Sequence, residues 1–208
     1  AYIGLFFELC FLALIMFKFL KPKFRKLFAT ITACLSTIIL FLMLSITSVR
    51  ARLISIFAMR NDSSNSFRFN VYNSCVQMFK DNWILGIGVG NQNFREIYGL
   101  YMKTGFDALS AYNIYLELAV ESGIFALLAF VSMIITNIVK AVKYIKRRNN
   151  ITSFYIAIAF ASLLGILIHG FVDTVFFRPQ IQFIFWIMLG IIRVLTAKNR
   201  EKLLYDRR

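Results

Sequence analysis

Two pairs of residues suited to proton chemistry stand four positions apart in this chain. Glu117 precedes Glu121, and His169, the single histidine, precedes Asp173. On a continuous helix such pairs share one face. A carboxylate beside an imidazole can orient the ring and leave a nitrogen free to take a proton near neutral pH, the arrangement of a general base. Capping and packing beside Arg178 and Pro179 is the other reading of that pair. Glu117 and Glu121 fall in an apolar run, where unpaired carboxylates are costly, so they point to a functional or paired role with Arg68 or Arg178 as partner. Arg68 itself offers a planar fork of donors for an oxyanion, or pairs with Asp62 or Asp81. Arg50, Arg52, Arg60 and Arg95 are candidates for an anion-attracting rim, or for anchors to lipid head groups.

These residues must be positioned by elements made for lipid. Of the 208 residues, 59% are hydrophobic and only two are proline, and the mean hydropathy is +0.69. Ordinary soluble domains run at about 45 to 50% apolar. Five segments, 1–17, 27–49, 113–139, 151–171 and 181–197, approach the roughly 17 to 25 residues that cross a bilayer core. The expected fold is all-α, a polytopic bundle of transmembrane helices with one long helical loop. The chain begins at Ala1 inside an apolar run, which reads as the C-terminal part of a larger bundle. Glu8, at mid-depth of the first segment, is expected to pair with a helix outside this chain.

Charge sets an orientation. Lys18, Lys21, Lys23, Arg25 and Lys26 follow the first segment. Lys140, Lys143, Lys146, Arg147 and Arg148 follow the third, and Lys198, Arg200, Lys202, Arg207 and Arg208 follow the fifth. The positive-inside rule places all three groups, and the C-terminus, in the cytoplasm of a plasma (inner) membrane protein. The organisation is then two spans with a basic loop (1–49), an outer-face periplasmic loop with a surface helix (50–112), three spans (113–197) and a basic tail (198–208). Those groups hold 15 of the 24 basic residues. Topology and anionic lipid therefore account for most of the +14 charge, and nucleic acid is not an expected partner. Cys10, Cys34 and Cys75 have no metal or disulfide spacing, and neither cofactor nor metal is implied.

The long loop has internal order. Phe67, Val71, Cys75 and Met78 recur at i, i+4, i+8 and i+11, the apolar face of a helix, with 62–66 supplying N-cap candidates. Gly86, Gly88 and Gly90 alternate with apolar residues. No βαβ context surrounds them, so they read as a tight re-entrant turn and not as a dinucleotide site.

The run 86–91 (GIGVGN), then 110–117 (SAYNIYLE) and Glu121-Ser122-Gly123, resembles the core of the O-antigen ligase and polymerase superfamily: a glycine turn, a His-Asn pair, then an ExG. More closely, Ser55-Ile56-Phe57, Arg60, 62–65, Phe67-Arg68, Asn70-Val71, 109–112, His169-Gly170, 173–175 and 178–180 resemble a cyanobacterial branch labelled as inorganic carbon (bicarbonate) transporters. The ligase resemblance implies metal-independent transfer of a glycan from an undecaprenyl pyrophosphate carrier, with arginines holding the pyrophosphate. By it, Tyr112 occupies the place of the superfamily's His. A phenol near pKa 10 is a poor base where an imidazole near 6.5 is a good one. His169 with Asp173 is the expected substitute. The candidate catalytic residues are Tyr112, His169 and Asp173, and the candidate substrate-binding residues are Arg60, Arg68, Asn113, Glu117, Glu121 and Arg178. The partners are membrane lipid and either a lipid-linked glycan or bicarbonate. Polar residues gathered at one face, with no inverted repeat, favour the glycan enzyme or a relative of one over a carrier.

Overall fold

The computed structural model describes residues 2–47, 49–50 and 63–205. Among them the chain forms seven α-helices: α1 (Tyr2–Phe19), α2 (Pro22–Ser45), α3 (Ser63–Asp81), α4 (Asn91–Tyr98), α5 (Ile114–Arg147), α6 (Ile151–His169) and α7 (Pro179–Tyr205). A short 3-10 turn, Val175–Phe177, precedes α7. No strand occurs among the described residues, as expected of an all-α bundle. Four of these helices, α2, α5, α6 and α7, are long and apolar enough to cross a membrane.

The helices outrun the apolar segments that announce them. α2 starts at Pro22, ahead of the hydropathic boundary, because proline suits the first helical turn and Lys23, Arg25 and Lys26 are good helix formers. Hydropathy marks where lipid can lie, not where hydrogen bonding stops. α3 begins at Ser63, so Ser64, Asn65 and Ser66 belong to its first turn instead of preceding it.

Ring pairs set the packing of the bundle. Phe11 meets Phe160 at 6.3 Å and Phe19 meets Phe154 at 5.4 Å, so α1 runs antiparallel to α6. The Lys18 ammonium donates to the carbonyl of Ile145 near the end of α5. Glu8 packs against α6: a methyl on Gly165 would lie 2.8 Å from its Oε2, so its described neighbour is a helix within this chain. Residues of α5, α6 and α7, including Ile134, Ile156, Leu163, Phe185 and Ile192, form one buried core. No part of the Pro22–Leu42 stretch of α2 is buried, and its apolar surface is of the kind hydrocarbon covers. Connectivity then puts the turns at 20–21 and 148–150 at one end of the bundle, the basic end. Asn113, His169 and Pro179 stand at the other.

A second core lies at that other end. Val71, Cys75 and Met78 of α3 are fully buried with Phe94 and Tyr98 of α4 and Ala108, Ala111 and Val120. The apolar stripe read from the sequence is this contact, with Phe67 packed at its edge. Val71, Met78 and Phe94 each contribute about 1.5 to 3 kcal/mol on burial. Residues 63–113 are thus a folded cap seated on α5.

Candidate functional site at the capped end of the bundle

The geometry of the site starts from a mismatch of lengths. α5 has 34 residues and α6 has 19, about 50 Å against about 28 Å at 1.5 Å per residue. Yet α5 is tied to both ends of α6: Ile114 N donates to Gly170 O at 2.8 Å, and Ser153 Oγ donates to Arg148 O at 2.9 Å. A straight helix cannot make both contacts. α5 breaks at Gly123 (φ 76°, ψ −177°) into limbs 114–122 and 124–147. The bend is sharp enough that Phe130 lines the same crevice as Ile114 and Leu118. The helix read from the sequence at 113–139 is therefore not straight: residues 114–122 form a limb set apart from 124–147.

The glycine turn makes the break possible. Ile124 N, lacking its helical partner, donates to Trp83 O at 2.8 Å. Val120 O and Glu121 O accept instead from Ile87 N at 2.9 Å and Gly88 N at 3.0 Å. The approach is backbone on backbone: a Cβ on Gly123 would lie 2.1 Å from Ile84 O, and one on Gly86 2.4 Å from Glu121 C.

Glu117 and Glu121 are both buried on the first limb. Where sequence reasoning offered Arg68 or Arg178, the hydrogen bonds of the two carboxyl groups come from backbone amides. Glu117 Oε2 accepts from Ala111 N at 3.0 Å, and Glu121 Oε1 accepts from Gly90 N at 3.2 Å.

The loop before α5 carries Tyr112 and Asn113. Asn113 caps α5, its Oδ1 accepting from Tyr115 N at 2.9 Å and Leu116 N at 3.0 Å, while its Nδ2 donates to Phe171 O at 3.1 Å. Tyr112 is held at φ 50°, uncommon for a residue with a side chain, and packs edge-on against Phe67 at 5.8 Å. Tyr72 OH lies 3.0 Å from Tyr112 O and 3.3 Å from Phe171 O, so one phenolic proton serves two carbonyls. Burial first, then Asp173, raises the Tyr72 pKa, against the opposing pull of Arg68. This tyrosine was missed in the sequence, although it lies one turn from Arg68 on α3. Ser110 and Thr174 were missed as well; their hydroxyls meet at 3.0 Å across the two loops.

His169 and Asp173 do come together. Nε2 lies 3.6 Å from Asp173 Oδ2 and makes no hydrogen bond, and Asp173 Oδ1 accepts from Thr174 N at 2.8 Å. The helix ends at His169, so the two side chains meet across a turn and not along a helix face. Arg178 is exposed at the start of α7, where its carbonyl accepts from Ile181 N and Gln182 N, each at 3.0 Å. Arg60 lies outside the described residues. Arg68 is half-buried beside Tyr72. Asp81 is no partner for it, being 13 residues and about 20 Å along the same helix, and accepting instead from Tyr101 OH at 2.8 Å. Arg95 pairs with Asp107 at 3.5 Å on the surface, more than half exposed, a contact of little energetic weight.

Beside this polar cluster lies a crevice of about 180 Å³ within the bend of α5. Ile114, Leu118, Phe130, Phe176, Phe177 and Trp186 line it, with Gln182 its one polar wall residue. Asn113 and Ile114 mark the boundary between the two regions. No three His, Cys, Asp or Glu residues gather as a metal site among the described residues.

Neither the curated proteins nor the solved structures contain a match to this chain. The sequence model of the O-antigen ligase family, however, matches residues 1–131. That match takes in α1 to α4, the cap, the glycine turn and α5 through its break, and stops short of His169, Asp173 and Arg178. It covers well over half of the 208 residues, and on it the chain belongs to the O-antigen ligase family.

Proposed function

We propose that the protein binds a lipid-pyrophosphate-linked glycan at the capped end of its bundle and transfers the glycan to an acceptor hydroxyl. The observation that carries this reading is the boundary at Asn113 and Ile114. A polar cluster holding Arg68, Tyr72, His169 and Asp173 abuts a crevice walled by aliphatic and aromatic side chains, which suits a ligand with a charged head and a hydrocarbon chain. The positive-inside rule applied to the three basic groups supports a cytoplasmic opposite end and a site facing outward.

The chemistry follows from the side chains. Asp173 Oδ2 stands 3.6 Å from His169 Nε2; on closing that gap it would accept from Nε2–H and leave Nδ1 to take the proton of the acceptor hydroxyl. The acceptor oxygen attacks the anomeric carbon as the bond to the carrier pyrophosphate breaks. The guanidinium of Arg68, with the exposed Arg178 near it in this scheme, receives the charge that develops on the leaving pyrophosphate. Tyr112, in the place the superfamily resemblance gives to His, packs against Phe67 at the edge of the cap core. The amide of Asn113 holds the loop that presents it.

The test is transfer of labelled glycan from a purified undecaprenyl pyrophosphate donor by the protein reconstituted in vesicles. Donor-dependent transfer is the expected result. Bicarbonate carriage is the competing reading, with no feature of the site favouring it. Saturable uptake of labelled bicarbonate without any glycan transfer would replace the proposal with that reading.

A further inference from the structure

Glu117 and Glu121 lie one turn apart on the limb 114–122, both almost wholly buried. Two carboxyl groups so placed lose hydration, so their retention needs a local reason. Each carboxylate takes one backbone N–H, and the two N–H groups come from two different loops. Glu117 holds Ala111, immediately before the left-handed Tyr112 and the cap residue Asn113. Glu121 holds Gly90, which begins α4, while its own carbonyl receives Gly88 N. The loop 109–113 and the glycine turn are thus both referenced to a single stretch of helix.

We propose that Glu117 and Glu121 are positioning residues: through Ala111 and Gly90 they set the two loops of the site against α5, and they do not touch the ligand themselves. A carboxyl group suits the role because its oxygens accept from backbone N–H groups while its stem is fixed on the helix. It also follows that movement of Tyr112 is coupled to Glu117, and movement of the glycine turn to Glu121.

The experiment is backbone hydrogen exchange by mass spectrometry on the full chain in detergent or nanodiscs. Glu117→Ala, Glu117→Gln, Glu121→Ala and Glu121→Gln are compared, each with its thermal unfolding midpoint and its dissociation constant for the lipid-linked donor. Removing the acceptor should speed exchange about tenfold or more at the bond it served. Glu117→Ala should show this over 109–113 and not over 86–91. Glu121→Ala should show the reverse. Each Gln variant, whose amide oxygen still accepts, should stay within about threefold of wild type in exchange and in donor binding. Gln variants that lose donor binding while both loops stay protected would overturn the proposal, because the carboxylates would then be ligand contacts. Equal loosening of both loops by either Ala variant would also overturn it. The donor arm rests on the function proposed above. If wild type binds no donor, that reading falls, and the exchange arm still decides this one.

Discussion

His169 Nε2 stands 3.6 Å from Asp173 Oδ2, across the turn that ends α6, buried and without a hydrogen-bond partner. A small closure of that turn would turn the contact into a charge-assisted bond and fix the ring's tautomer. His169→Ala should therefore abolish glycan transfer, and Asp173→Asn should lower its rate by about a hundredfold or more. Donor binding should change little in either variant. Rates near wild type in His169→Ala would remove the imidazole from the chemistry.

Arg68→Lys keeps the charge and loses the bidentate fork, so donor affinity should fall by about tenfold or more. Arg95→Lys, in a surface pair with Asp107, should leave it unchanged. Titration of both variants with the lipid-linked donor makes the comparison. Small, equal effects would reduce Arg68 to a structural contact of α3.

The meeting of Gly86 with α5 at Gly123 allows no side chain. Gly123→Ala would place a methyl against Ile84 O in a backbone conformation that disfavours it, and should destabilise the protein by about 3 kcal/mol or more. Gly190→Ala, in α7 with nothing within 4 Å, is the control and should hold or slightly raise the unfolding midpoint. Thermal melts in detergent would decide it.

Burial holds the Cys75 thiol up at about 12, with Glu117 adding to the shift, and raises Tyr72 above its ordinary 10.0. Both groups have folded values above their unfolded ones, so the neutral forms are the ones the fold prefers. Their linkage leaves stability unaffected below about pH 9 and erodes it as pH rises through the raised values. Equilibrium unfolding midpoints between pH 7 and 11 should show that fall. Tyr72→Phe should flatten the upper part and cost about 1 kcal/mol at neutral pH, through the lost bond to Tyr112 O.

Sidedness is testable without any assay of function. A cysteine introduced at Asn91 should react with an impermeant maleimide in intact cells, and one at Asn149 only after permeabilisation. Reversed labelling would move the site to the cytoplasmic face and exclude an outer-face transfer reaction.

The all-α character, the apolar segments, the basic groups between them and the buried stripe of α3 are legible in the chain because each rests on local pattern. Hydropathy, charge bias and helical periodicity act over a few turns and need no partner to be recognised. The pairing of His169 with Asp173 was legible for the same reason, although the helix proved to end between them. The bend at Gly123 was not, since a glycine in a helical pattern is compatible with continuing the helix. What turns it is the backbone at Trp83, Ile87 and Gly88, some 35 residues upstream along the chain, which takes over the hydrogen bonds that α5 gives up. The partners of Glu117 and Glu121 follow from that bend, as does the convergence of Tyr72 with Tyr112 and Phe171. Local sequence could place charges on a helix face; only the packed cap decided that backbone amides would meet them.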